Sequence, residues 1–294
     1  MRTQIACFLV VSTAPLFDGA FAHGAYHELL SSIDREIEKN PLDPGLYVRR
    51  AKLHISHEQW VDAIADLERV DRMKPDAHLT DGIRGQALNL GREWGAAEEA
   101  LNTHLRVHPG DLDARYERGK ARFHLGNASG ASEDFRVALG AARVRPAERV
   151  LLAVTAIQAS EGVPSAARFL DDEIRDHGAE PALLERALSL ALNGAQVESA
   201  LGYLDLLKSS APRPEPWMAR RAEILELAGR RQDARVAWTA LRDHLLTLSN
   251  LDRGSSQNQG LLTRSRAALG EREPAPVAIP PASHSLQIVS SPNP

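Results

Sequence analysis

Small and large apolar residues recur along this chain on a long, fixed period. Alanine stands at 63, 97, 131, 166, 200 and 234, at steps of 34 or 35. Four positions after each comes a large apolar residue: Leu67, Leu101, Phe135, Leu170, Leu204 and Trp238. Twelve positions before each comes Ala51, Gly85, Gly119, Val154, Leu188 and Ala222. A step of four is about one helical turn, so each alanine and its large neighbour share a helix face. The pattern predicts antiparallel helix pairs, in which small residues let two helices approach and the larger residue fills the groove between them. Gly91, Gly126, Gly162, Gly194 and Gly229 fall at the turn inside each pair, where a left-handed cap suits glycine. Pro41, Pro75 and Pro109 close second helices, and Pro212 takes that place three units later.

Six full units follow, at 44–77, 78–111, 112–145, 147–180, 181–214 and 215–248, within a repeat region of 44–250. Residues 23–43 form an N-terminal segment whose stretch 26–41 reads as a half unit. An extra residue near 146 interrupts the period, unit three carries Arg143 in place of its terminal proline, and Val154 and Leu188 are large for their place. After the polar break RGSSQNQG at 253–260, the segment LLTRSRAALG predicts a capping helix within 251–270, because a terminal repeat needs a polar outer face. Six prolines between 274 and 294 predict a disordered Pro-rich tail, 271–294.

A helix–turn–helix of 34 residues with small residues at repeat positions 8 and 20, proline at 32 and Trp60 and Trp94 at position 17 resembles the tetratricopeptide repeat family. The resemblance implies an all-α, right-handed superhelical solenoid whose first helices line a concave groove, mainly through repeat positions 2, 5, 9, 12 and 13. Carried onto this chain, the implied peptide-binding groove comprises Val48, Lys52 and Ile55, then Gln86 and Asn89, then Tyr116, Lys120 and Phe123. Later units present Glu185, Glu223 and Glu226 instead. The carboxylate clamp of one subfamily is not matched, since Val48 stands where that subfamily has a basic residue. The implied partner is a protein or extended peptide whose acidic and apolar side chains meet the basic, aromatic-bearing N-terminal half.

Composition adds a compartment. Ile5 to Val11 is an apolar run behind Arg2, and Ala20-Phe21-Ala22 places small residues at −3 and −1. This layout predicts a signal peptide over 1–22, cut before His23, and a mature chain in the periplasm or outside the cell. Pro15, Asp18 and Gly19 break the run before it could span a bilayer, so no stable membrane span is expected after cleavage. The single cysteine, Cys7, leaves with the leader, so packing alone must stabilise the rest. Loss of Arg2 and Asp18 keeps the net charge at −4, which points away from nucleic acid.

Motifs for chemistry are few. His27-Glu28-Leu29-Leu30-Ser31 starts like HExxH but ends in serine, and no GxSxG, GxGxxG or Walker loop occurs. His54 and His57, and His104 and His108, offer two ligands each, too few for a firm metal site. His104, at repeat position 27, is expected to be partly buried structure. Asn127-Ala128-Ser129 is a formal glycosylation sequon. The expectation is therefore no enzyme and no cofactor, but an exported scaffold binding a protein or peptide in the cell envelope. The alternative is copper handling: cleavage would leave His23 with a free amine, and His27 nearby could complete a nitrogen-rich planar site.

Overall fold

The computed structural model describes residues 19–75 and 80–271, with only the backbone for 19–25. The expected leader up to residue 18 and the Pro-rich tail from 272 lie outside the described residues. Among the described residues there are helices and no strand. Helix α1 (Gly19–Lys39) precedes six pairs: α2 (Pro44–Ser56) with α3 (Trp60–Met73), α4 (Asp81–Leu90) with α5 (Trp94–Val107), α6 (Leu112–His124) with α7 (Ala128–Ala141), α8 (Ala147–Glu161) with α9 (Val163–His177), α10 (Pro181–Asn193) with α11 (Val197–Ser210), and α12 (Glu215–Leu227) with α13 (Arg231–Thr247). A short α14 (Asn250–Arg253) and α15 (Ser256–Leu269) follow. The chain forms two compact units, divided inside α10 between Arg186 and Ala187.

In the first unit the periodic residues form the helix interfaces. Ala51, Ala63, Leu67 and Ala87 make one buried cluster, flanked by Ile55, Trp60, Ile64 and Ile83. Gly85 faces the Leu101 side chain and Gly119 faces Phe135, both so closely that a Cβ would collide. Val154, large for its position, is nonetheless fully buried. Caps start the helices where the sequence supplies them. Asp43 accepts from the Gly45 N–H, with Pro44 at the first helical position, Asp111 accepts from Ala114, and Asn127 from Gly130. Arginines on the first helices add a polar layer. Arg50 bonds Asp66 through two nitrogens, at 2.8 and 2.6 Å, and Asp34 at 2.6 Å. Sixty-eight residues later Arg118 bonds Asp134, at 2.9 and 2.6 Å, and Asn102 at 2.9 Å.

In the second unit Ala219, Ala222, Trp238, Leu241 and Leu245 form a buried cluster closed by Leu261 and Leu262 of α15. Trp238 donates its indole N–H to Glu226 at 2.8 Å, and the Arg264 guanidinium lies 6.0 Å from the indole ring centre. Helix α15 thus covers the apolar side of α13, with Ser255 as its N-cap and Gly270, in the left-handed region, as its C-cap.

The turns inside the pairs correct one expectation. The left-handed residue is Glu58, Arg92, Gly126, Ala195 and Gly229, all at the same repeat position. Gly91 and Gly194 fall one residue short of it, and Gly91 has φ −72°. A Cβ at Gly91 would meet the Trp60 ring at 2.8 Å, so this glycine makes room for an aromatic and does not supply a left-handed turn. In unit four the turn shrinks to Gly162 alone, with φ 89°, which ends α8 and opens α9.

Candidate binding face

Helices α2, α4 and α6 are the first members of consecutive pairs, and together with His104 of α5 they line an open cavity of about 490 Å³. Lys52 and Ile55 from α2, Gln86 from α4 and Asp113 with Ala114 from α6 line it. The small Gly82 and Ala114 keep the helices close, while Ile55 and Ile83 add apolar surface to the lining. His104 of α5 closes one side. Its Nε2 lies 2.8 Å from Asp111, whose other oxygen accepts the Ala114 N–H at 2.9 Å. Burial works against the Asp111 carboxylate, but the Ala114 N–H and the His104 imidazole hold its pKa below the ordinary value. Gly82 is required here, because a Cβ would sit 2.9 Å from the His104 ring.

Three residues carried over from the resemblance, Lys52, Ile55 and Gln86, therefore share one cavity. The others are placed differently. Val48 is half-buried one turn before Lys52. Asn89 is buried, and its amide donates to the Glu117 carbonyl at 2.9 Å and to the Glu117 carboxylate at 2.8 Å. Tyr116 is 6% exposed, 5.0 Å from the Phe135 ring, with the Arg149 guanidinium 4.6 Å above it. Burial accordingly pushes the Tyr116 phenol well above its usual pKa. Lys120 lies 3.5 Å from Glu117, and Phe123 packs edge-on against His124. In the second unit Glu223 is bonded to Arg220 and Arg264, and Glu226 to Trp238. Ile83, Asp111 and Asp113 belong to the cavity without having been expected there. Of these, only Asp111 had a signal in the sequence, its spacing from His104 across a helix end to the next N-cap.

His104 is half-buried and its ring centre lies 4.8 Å from that of His108. His54 is 8% exposed, with Nδ1 2.9 Å from Gln59 and 3.1 Å from the Tyr26 hydroxyl. His57 packs on the Tyr26 ring at 4.0 Å. His27 is exposed on α1, whereas the His23 side chain lies outside the described ones. Among the described residues no three His, Cys, Asp or Glu side chains are grouped so as to hold a metal ion. No helix among them is long and apolar enough to cross a membrane.

No family model matches the sequence. Among curated proteins, Tetratricopeptide repeat protein 16 of Mus musculus is 29% identical over 128 residues, covering 40% of this chain and 17% of that protein. Among solved structures, a tetratricopeptide repeat protein from Parabacteroides merdae superposes with a TM-score of 0.51 at 15% identity, over 83% of this chain and 94% of that one. YrrB, a tetratricopeptide-repeat protein with an unusual peptide-binding site, reaches 0.50 at 16% identity, over 62% and 94%. In fold, the chain is similar to these tetratricopeptide-repeat proteins.

Proposed function

We propose that the chain is a non-catalytic scaffold that binds an extended protein or peptide segment along α2, α4 and α6. The observation that carries this reading is the shared cavity, whose lining joins apolar Ile55 and Ile83 with Lys52, Gln86 and Asp113. Such a lining suits a segment presenting one apolar side chain flanked by an acidic one and a hydrogen-bonding one. YrrB's peptide-binding site lends the reading support by analogy of fold. A peptide library screened on the purified chain supplies ligands for the test. Lys52→Glu should weaken acidic ligands by roughly tenfold and remove much of their salt dependence, and Gln86→Ala should weaken all of them. Unchanged affinity in both variants would move the site elsewhere.

The compartment is part of the proposal. The run Ile5 to Val11 and Ala20-Phe21-Ala22 support export to the periplasm or beyond, with cleavage before His23. Intact-mass measurement on native material checks it, and a chain that keeps Met1 in the cytoplasm would overturn it.

A further inference from the structure

Helix α6 turns Asp113 and Ala114 toward the groove and Arg115 and Arg118 the other way, into a second cleft of about 590 Å³ against α5. Asn102, Thr103, Arg106, Glu98 and Glu99 of α5 form the opposite wall. Beneath the cleft, three arginines converge on one carboxylate that is 1% exposed: Asp134 lies 2.6 Å from Arg118, 3.0 Å from Arg122 and 3.8 Å from Arg115. Glu98 answers Arg122 at 2.8 Å. The bonded network thus holds three cations against two anions; the exposed Glu133 also acts on Arg118, and the exposed Glu99 and Arg106 offset each other.

The corresponding place at α2 has the opposite balance. There one arginine, Arg50, stands between two carboxylates, Asp66 and Asp34. Asn102 occupies the position of Asp34, 16 residues before its arginine in both cases, so a carboxylate is replaced by a neutral amide where two further arginines have been added. Arg115 shows the consequence. Its Nε is buried with no hydrogen-bond partner, and its remaining contacts are the Pro109 carbonyl at 3.0 Å and the distant Asp134. A guanidinium with donors to spare, a bonded network with more cations than carboxylates and an open cleft beside it together describe a receptor for an oxyanion.

We propose that the α5–α6 cleft binds a carboxylate or phosphate group, held by Arg115 and Arg118 with Asn102 and Thr103 beside it. This site is separate from the groove and does not depend on what the groove binds. The anion supplies beside Arg118 the negative charge that Asp34 supplies beside Arg50, and it occupies donors that the fold leaves unused.

The test follows the arginine Nε–H resonances of the intact chain at constant ionic strength. The probes are inorganic phosphate, succinate and a short glutamate-rich peptide. Saturable shifts confined to Arg115 and Arg118, with the exposed Arg168 of α9 unmoved, are the expected result. Saturation by phosphate alone identifies a phosphate-bearing ligand, and saturation by succinate or the peptide a carboxylate. Asn102→Asp installs the carboxylate that α2 carries, so it should weaken binding by roughly tenfold or more while leaving the melting temperature no lower. Arg115→Gln should also lose binding, and Lys52→Glu should keep it. Shifts that do not saturate, that spread over all exposed arginines, or that persist unchanged in Asn102→Asp would overturn the proposal.

Discussion

Two neighbouring parts of the first unit solve the same packing problem by different means. Where α2 meets α3 and α6 meets α7, an arginine on the first helix grips a buried aspartate on the second, Arg50 with Asp66 and Arg118 with Asp134. Between them, α4 and α5 carry Arg84 and Ala100 at those places. Arg84 turns instead to Asp71 of α3, which also accepts the Thr80 hydroxyl at 2.7 Å. The α4–α5 interface relies on the closeness of Gly85 to Leu101 and of Gly82 to His104. The 34-residue period therefore fixes where helices touch but not how. Steric fit alone suffices in the middle pair, while charged pairs that exclude other registers are inserted on either side.

The comparison breaks most sharply at Asp134. Removing it leaves three arginines around a buried site with only Glu98 to answer them, and losing one partner of a buried ion pair costs about 3–5 kcal/mol. Asp134→Ala should lower stability by that amount in a urea titration. Asp66→Ala should cost less, because Asp66 is gripped by a single arginine that keeps Asp34. Equal small effects from both would show that the arginines are held by solvent and not by these carboxylates.

The middle pair is tested by volume. Ala97 is fully buried in α5, and Ala131 holds the same place in α7. A leucine at either position must displace the neighbouring helix, at a cost of about 1–3 kcal/mol. The larger loss is expected at Ala97, since α4 and α5 have no charged pair to hold their register once the contact opens. A thermal melt unchanged by Ala97→Leu would contradict the assigned packing.

Much of this was legible in the sequence, because the period records burial directly: each alanine of the series is buried, and each large residue four positions on lies beside it. The candidate face was only partly legible. Lys52, Ile55 and Gln86 meet in one cavity, as their shared repeat positions suggested. Asn89 occupies the repeat position of Ile55 and Tyr116 that of Val48, yet the Glu117 carboxylate and the Phe135 ring draw them inward. Those partners lie on other helices or at unrelated repeat positions, so the period cannot announce them. The same reason hid the cluster around Asp134, whose arginines come from three successive turns of α6.

The smallest effect concerns the turns, where the period was read one residue out of place. Gly91 and Gly194 look like left-handed caps in the sequence, but the left-handed residues are Arg92, with φ 61°, and Ala195, with φ 53°. A residue with a Cβ pays about 1–2 kcal/mol for that conformation. Glycine would avoid this cost while losing part of the gain to its greater freedom in the unfolded chain. Ala195→Gly should therefore stabilise by roughly 0.5–1 kcal/mol. Gly229→Ala, at the same repeat position with φ 74° and open space around its Cβ, should destabilise by a similar amount. Gly91→Ala probes the other role of glycine. Its φ is one that alanine adopts freely, so any loss there must come from the collision with the Trp60 ring. If Gly91→Ala is neutral while Gly229→Ala is not, the Trp60 ring can shift aside. If Ala195→Gly destabilises instead, the turn of that pair is held by its surroundings more strongly than by its own backbone preference.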